Sequence, residues 1–180
     1  MTKRINIQSY KTQYAEFILG SFEGRLCLLD FKNRAMRDAI DQRLKKGLSA
    51  DYFDQDDATL KAVRLQIDEY FSGTRRLFDI PLLMVGSDFQ KSVWDALLDV
   101  PYGETSSYLE LSIRIGDAKA VRAVAAANGA NAMSLIVPCH RIIGSNGGLV
   151  GYAGGLPLKK RLLTLEQCTN PKNITGDLFH

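Results

Sequence analysis

Cysteine and histidine are scarce in this chain, three of the first and two of the second in 180 residues. The cysteines, Cys27, Cys139 and Cys168, are odd in number and far apart. That excludes a disulfide framework and fits a chain kept reduced, so a cytoplasmic location is expected. Before residue 86 there is one cysteine and no histidine, and Cys139, His140 and His180 have no ligand spacing. Neither a metal nor another cofactor is expected. No apolar run reaches the length of a membrane span, and Met1–Asn6 has no apolar core such as a secretory signal needs. Internal repeats and low-complexity stretches are missing as well. So is a strong charge of one sign: the net charge of +3 is too small to dictate a nucleic-acid partner.

What is present is a globular composition, 46% hydrophobic and 24% charged, in a length suited to one ordinary domain or two small ones. The chain is organised around Leu135-Ile136-Val137-Pro138-Cys139-His140-Arg141-Ile142-Ile143. Three aliphatic residues predict a short buried strand, and Pro138, with no N–H to donate, ends it. A thiol then stands beside a histidine and an arginine, cationic surroundings that lower a thiol pKa and make it nucleophilic. The plain alternative is a small hydrophobe at a strand end. From Arg114 to Arg161, seven basic residues (Arg114, Lys119, Arg122, Arg141, Lys159, Lys160, Arg161) stand against one acid, Asp117. Such a stripe suits phosphate contacts, or is an ordinary solvated face.

In chain order, residues 14–31 predict a β-hairpin turning at Glu23-Gly24, with Cys27 inside its second apolar run as core packing. A helix follows over 34–46, with Met36, Ile40 and Leu44 at helical spacing and Gly47 as its stop. Residues 48–56 are polar and acidic and predict a loop; 57–71 predicts a second helix. Phe78, Ile80, Leu82 and Met84 alternate like a strand able to join the hairpin. Gly86-Ser87-Asp88 marks a boundary. Beyond it a helix carries Phe89, Val93 and Leu97 on one face and ends at Val100-Pro101-Tyr102-Gly103. Helices over 107–115 and 118–127 follow, the second capped by Asp117 and stopped at Asn128-Gly129. Joined by a glycine-containing turn, they make a helix-turn-helix candidate. The second helix exposes alanine methyls with Lys119, Arg122 and Ala126, a surface that can approach a groove closely, or a structural helix with solvated charges.

Taken together, Phe89-Gln90-Lys91-Ser92-Val93-Trp94, Val100-Pro101-Tyr102-Gly103-Glu104-Thr105, Ser107-Tyr108, Ala120-Val121-Arg122-Ala123-Val124 and Asn131 form one ordered set. The Ile136–Arg141 core and Gly148–Leu156 complete it, over roughly residues 86–167. This set closely resembles the O6-alkylguanine-DNA alkyltransferases. The resemblance implies an α+β protein. A small ribonuclease-H-like α/β domain would occupy residues 1–85, and a mainly helical, winged-helix-like alkyltransferase domain with the helix-turn-helix would occupy 86–168, leaving a tail over 169–180.

The resemblance further implies direct reversal of DNA damage. Duplex DNA would be bound through its minor groove and an alkylated guanine flipped out of the stack. Cys139 would take the alkyl group irreversibly, once per molecule, with O4-alkylthymine as a candidate second substrate. His140 would draw the thiol proton through a water, and Glu166, in a helix over 157–167, would orient that histidine. Asn131 would support the turn before the active-site strand, and Tyr108 would hydrogen-bond or protonate the departing guanine. Arg122 would fill the space the base leaves, with Lys119, Ala123, Ala126, Tyr108 and Arg141 also meeting DNA. Tyr152, Ala153 and Gly154, with Val137, Pro138 and Ile142, would wall the guanine pocket. Ala153 stands where some relatives carry serine, a contact made largely by backbone. Cys168 and the tail are expected to be dispensable, and the protein to act as a monomer without a membrane or an obligatory protein partner.

Four rival readings meet specific residues. A lesion-binding module without chemistry would not need Cys139. A methyl-sensing regulator would need an extra N-terminal cysteine cluster that is missing. A cysteine hydrolase would have only His180 as a distant histidine. A plain helix-turn-helix repressor leaves Pro138-Cys139-His140 without a purpose.

Overall fold

A computed structural model of the chain describes residues 1–167, and Cys168 with the tail lies outside them. The chain divides into two compact units, Met1–Ser87 and the part from Asp88 onward. Among the described residues no helix is long and apolar enough to cross a membrane.

The first unit is a four-stranded sheet in the order β3-β2-β1-β4, made from β1 (Lys3–Lys11), β2 (Glu16–Phe22), β3 (Arg25–Phe31) and β4 (Ala50–Asp54). β1, β2 and β3 form an antiparallel meander, and β4 pairs parallel to β1. Between them run α1 (Arg37–Leu48) and, after β4, α2 (Ala58–Phe71). The predicted hairpin is β2–β3. The predicted second helix is α2, which Asp57 caps by accepting from the Leu60 amide at 2.9 Å. Phe17, Leu19, Leu26, Leu28, Ile40, Leu44, Leu60, Val63, Ile67 and Tyr70 form the core.

Five features of this unit depart from the sequence reading. β1 was not foreseen, because its alternate positions are polar. Asn6 donates to Asp57 at 2.8 Å, Gln8 to Asp54 at 2.6 Å and Tyr10 to Asp68 at 2.5 Å, so carboxylates replace an apolar stripe. Residues 50–54 are an edge strand instead of a loop: Arg4 covers the Phe53 ring at 4.4 Å and Lys45 the Tyr52 ring at 4.6 Å, while charge stays at the rim. α1 starts at Arg37 and not at 34, because Arg34 and Arg37 both reach back 3.1 Å to the buried Asp30. Gly47 does not stop α1. Ser49 does, at φ 49°, whereas a Cβ on Gly47 would lie 2.5 Å from Val85 Cγ1, so the glycine permits close packing. The alternation over 78–84 yields a single parallel bridge, Leu26 with Leu82: the Leu26 amide donates to the Pro81 carbonyl and the Leu83 amide donates back to the Leu26 carbonyl, each at 2.8 Å. Cys27 is core packing, its thiol pushed up to about 12 by burial.

The second unit contains α3 (Asp88–Leu98), β5 (Ser106–Ser107), α4 (Tyr108–Arg114), α5 (Val121–Gly129), a 3-10 turn (Cys139–Arg141), β6 (Ile142–Ile143) and α6 (Leu156–Leu165). α3 buries Val93, Trp94 and Leu97, leaving Phe89 37% exposed. The Trp94 indole donates to the Ala127 carbonyl of α5 at 2.9 Å, tying those helices together. Ser107 and Glu110 cap the start of α4 reciprocally. The predicted second helix begins at Val121 and not at 118. Asp117 closes a turn instead, accepting from the Lys119 amide through its side chain and from the Ala120 amide through its carbonyl. Nor do residues 135–137 form a strand. Leu135 takes φ 71°, and the Val137 amide folds back 2.9 Å onto the Met133 carbonyl. The apolar content reflects burial alone, since every residue from Ala130 to Ile143 is buried. β6 then pairs parallel with β5, which fixes the end of the 3-10 turn beside the start of α4.

Candidate active site

Pro138 ends the interior turn and the chain winds into one 3-10 turn, closed by the Arg141 amide on the Pro138 carbonyl at 3.0 Å. This turn carries Cys139, 4% exposed, His140, 0% exposed, and Arg141. α6 brings Glu166 to the same place at its C-terminal end, where it too is buried. His140 Nε2 lies 2.8 Å from Glu166 Oε1. A carboxylate only accepts, so Nε2 carries the proton and Nδ1 keeps the lone pair, ready to accept one. Burial holds the His140 pKa below its ordinary value, against the pull of Glu166. Burial alone would raise Glu166, but His140 and the Arg141 guanidinium outweigh it and hold its carboxyl well below the carboxylate range. The pair is therefore a neutral imidazole on a charged carboxylate.

Asn131, 2% exposed, shapes the turn leading in: its amide donates to the Val137 carbonyl at 2.8 Å and its oxygen accepts from the Met133 amide at 2.9 Å. Tyr108 is the first residue of α4 and half-buried. Its phenol pKa is raised by burial and then by Cys139, with the Asn128 side chain opposing, so hydroxyl and thiol lie within electrostatic reach. Lys119, Arg122, Ala123 and Ala126 stand exposed in the turn before α5 and along it. Val137, Pro138 and Ile142 are buried. Tyr152, Ala153 and Gly154 are half-buried, with the Tyr152 ring edge-on to His140 at 6.4 Å. Arg141 departs from its expected place among DNA contacts. It is 7% exposed and occupied internally, by Glu166 and by the Val100 carbonyl.

Two residues take roles that the sequence reading does not give them: Lys159 leaves the basic stripe for the interior, and Asn128 is more than a helix stop. Lys159, 0% exposed, donates to the Ile142 carbonyl and, at 2.7 Å, to the Val150 carbonyl; burial lowers its pKa to about 8, opposed by Cys139. The signal was its spacing: Lys159, Leu162, Leu163 and Glu166 share one buried helical face. Asn128 is 7% exposed, and its amide oxygen has no partner among the described residues. Nothing in the sequence separated it from a helix stop.

Two sequence profiles match the chain, one in each unit. "6-O-methylguanine DNA methyltransferase, ribonuclease-like domain" covers residues 6–84 and "6-O-methylguanine DNA methyltransferase, DNA binding domain" covers 88–168. The methylated-DNA–protein-cysteine methyltransferase of Methanosarcina barkeri is 48% identical over 120 residues, 67% of this chain and 75% of the relative. The chain belongs to this methyltransferase family. Its Mycobacterium tuberculosis member is 50% identical over 110 residues, 61% of this chain and 67% of that one. A crystal structure of the M. tuberculosis O6-methylguanine methyltransferase superposes with TM-score 0.75 at 34% identity, over 93% of this chain and 95% of that one. A complex of the M. tuberculosis protein with DNA gives TM-score 0.77 at 35% identity, over 91% and 92%. The mixed α+β architecture of a methylated-DNA–protein-cysteine methyltransferase, a ribonuclease-like sheet unit and a helical DNA-binding unit, is thus the architecture of this chain.

Proposed function

We propose that this chain is a single-turnover methylated-DNA–protein-cysteine S-methyltransferase, repairing O6-alkylguanine in duplex DNA by moving the alkyl group onto Cys139. The observation that carries the reading is the buried Cys139–His140 step with Glu166 bonded to the histidine. His140 Nδ1 takes the thiol proton, through a bridging water. The thiolate attacks the alkyl carbon, the sulfur–carbon bond forms as the carbon–O6 bond breaks, and the electron pair leaves on the guanine. Tyr108 supplies the hydrogen bond or proton that the departing base needs, and its raised pKa keeps the phenol protonated for that task. The product is a neutral thioether whose thiolate is a poor leaving group, so no free thiol returns and each molecule acts once.

The exposed alanines and cations of α5 suit close approach to the minor groove, with Arg122 entering the space of the extruded base. The protein acts as a monomer, in the cytoplasm, on duplex DNA carrying the lesion. Cys139→Ala tests the assignment: this variant should still bind a lesion duplex while transferring nothing. Stoichiometric transfer by that variant would remove Cys139 as the acceptor.

A further inference from the structure

The Arg141 guanidinium makes three hydrogen bonds inside the second unit. Nε donates to Glu166 Oε2 at 2.9 Å, Nη2 to Oε1 at 3.0 Å and Nη1 to the Val100 carbonyl at 2.7 Å. The first two bonds make a planar fork that grips both carboxylate oxygens, which a lysine could not do. The third anchors that fork to the segment just after α3. Glu166 Oε1 is also the oxygen bonded to His140, so arginine and histidine share one acceptor.

Stability does not explain this arrangement. Burying two ions costs more than packing two apolar side chains of like volume, so an ion pair here is an inefficient way to hold the 3-10 turn to α6. DNA contact does not explain it either, since the guanidinium is buried and turned to Glu166.

We infer that Arg141 is a positioning residue of the proton relay, fixing Glu166 in place and in its charged form so that His140 stays neutral and aimed to accept the thiol proton. This rests on the alkyl-transfer reading above. By drawing on Oε1, the guanidinium weakens the pull of that oxygen on the imidazole proton, so the proton stays on Nε2 and the lone pair on Nδ1. By its charge it disfavours protonation of every group around it. The groups around it are Glu166 and Lys159 from α6 and its end, Cys139 and His140 from the 3-10 turn, Tyr108 from α4, Tyr102, whose ring centroid lies 5.7 Å from the guanidinium, and Tyr152, edge-on to His140. Removing a cation from this set raises the proton affinity of the carboxylate, the imidazole and the thiol together.

The test uses the full chain as wild type, Arg141→Gln and Arg141→Lys. Each is followed by thiolate absorbance against pH, single-turnover transfer from free O6-benzylguanine against pH, and affinity for undamaged duplex against salt. In Arg141→Gln the acid limb of both pH profiles should move up by about 1–3 pH units, the range for loss of an adjacent opposite charge, with transfer recovering at higher pH. DNA affinity and its salt dependence should not change. Arg141→Lys keeps the charge and loses the fork, so its acid limb should stay in place while its plateau falls. A uniform loss of rate in Arg141→Gln with an unmoved acid limb would reduce Arg141 to a structural tie and overturn the inference. Weaker DNA binding with a shallower salt dependence would overturn it in favour of a phosphate contact. Should Arg141→Gln fail to fold, Arg141→Met, which keeps the apolar stem and removes the charge, decides by the same acid limb: an upward move supports the inference, and an unmoved limb overturns it. Wild-type protein that transfers nothing from O6-benzylguanine or from a lesion duplex would instead overturn the proposed function itself.

Discussion

Replacing Asn131 by alanine removes a side chain that bonds twice to the backbone of the turn ahead of Cys139. The Val137 carbonyl loses its donor at 2.8 Å and the Met133 amide its acceptor at 2.9 Å. Both groups sit in the fully buried segment 130–143. An orphaned buried polar group costs about 1–3 kcal/mol, so the pair predicts a loss of about 2–6 kcal/mol. Trp94 is the single tryptophan and is bonded to the Ala127 carbonyl, so its fluorescence reports unfolding of the second unit. With a urea slope of about 2 kcal/mol per molar, the midpoint should fall by roughly 1–3 M. Asn131→Asp keeps the acceptor for Met133 but sets a carboxylate against the Val137 carbonyl, and should be at least as damaging as alanine. A midpoint unchanged in Asn131→Ala would refute the claim that this amide holds the turn.

Other consequences follow from the same geometry. Acid should loosen the second unit in two stages. Folded His140 resists the proton that an unfolded histidine takes near 6.5, and folded Glu166 resists the one an unfolded glutamate takes near 4.5. In both ranges the unfolded chain binds more protons, so stability falls as pH falls, by at most about 1.4 kcal/mol per pH unit for each group. Urea midpoints read through Trp94 that stay flat from pH 7 to 4 would contradict this. In the first unit, Gly20→Ala would set a Cβ 2.9 Å from Leu28 Cβ, an overpacking that should cost about 1–3 kcal/mol. Amide exchange in β2 and β3 should quicken accordingly, and unaltered exchange would show that the strands can separate freely. Arg122→Ala should slow repair of duplex DNA far more than transfer from free O6-benzylguanine, since only the duplex requires extrusion. Equal slowing of both would place Arg122 in the chemistry instead.

Much of this molecule can be read from residue order, where structure is local. The β2–β3 hairpin, the cap and apolar face of α2, and the Ser107-to-Glu110 capping box each lie within a few residues of one another. The Pro138-Cys139-His140 step is legible for the same reason. What resisted reading depends on partners remote in sequence. Arg141 reads as a surface cation because its acceptors lie 25 and 41 residues away, at Glu166 and Val100. β1 reads as a polar terminus because Asp57 and Asp68, 51 and 58 residues on, satisfy its Asn6 and Tyr10. Leu135-Ile136-Val137 reads as a strand because hydrophobicity reports burial, and burial does not distinguish a strand from an interior turn. The common cause is that buried polar side chains declare themselves only once their acceptors are in place.

The central claim is that one alkyl group passes to one sulfur, once. Intact-mass measurement after mixing the protein with excess duplex carrying O6-methylguanine tests it most directly. The account predicts a gain of one methyl group per molecule, mapping to the peptide that holds Cys139 and never exceeding one. An unchanged mass despite tight binding to the lesion duplex would contradict it, as would methylation at any other residue.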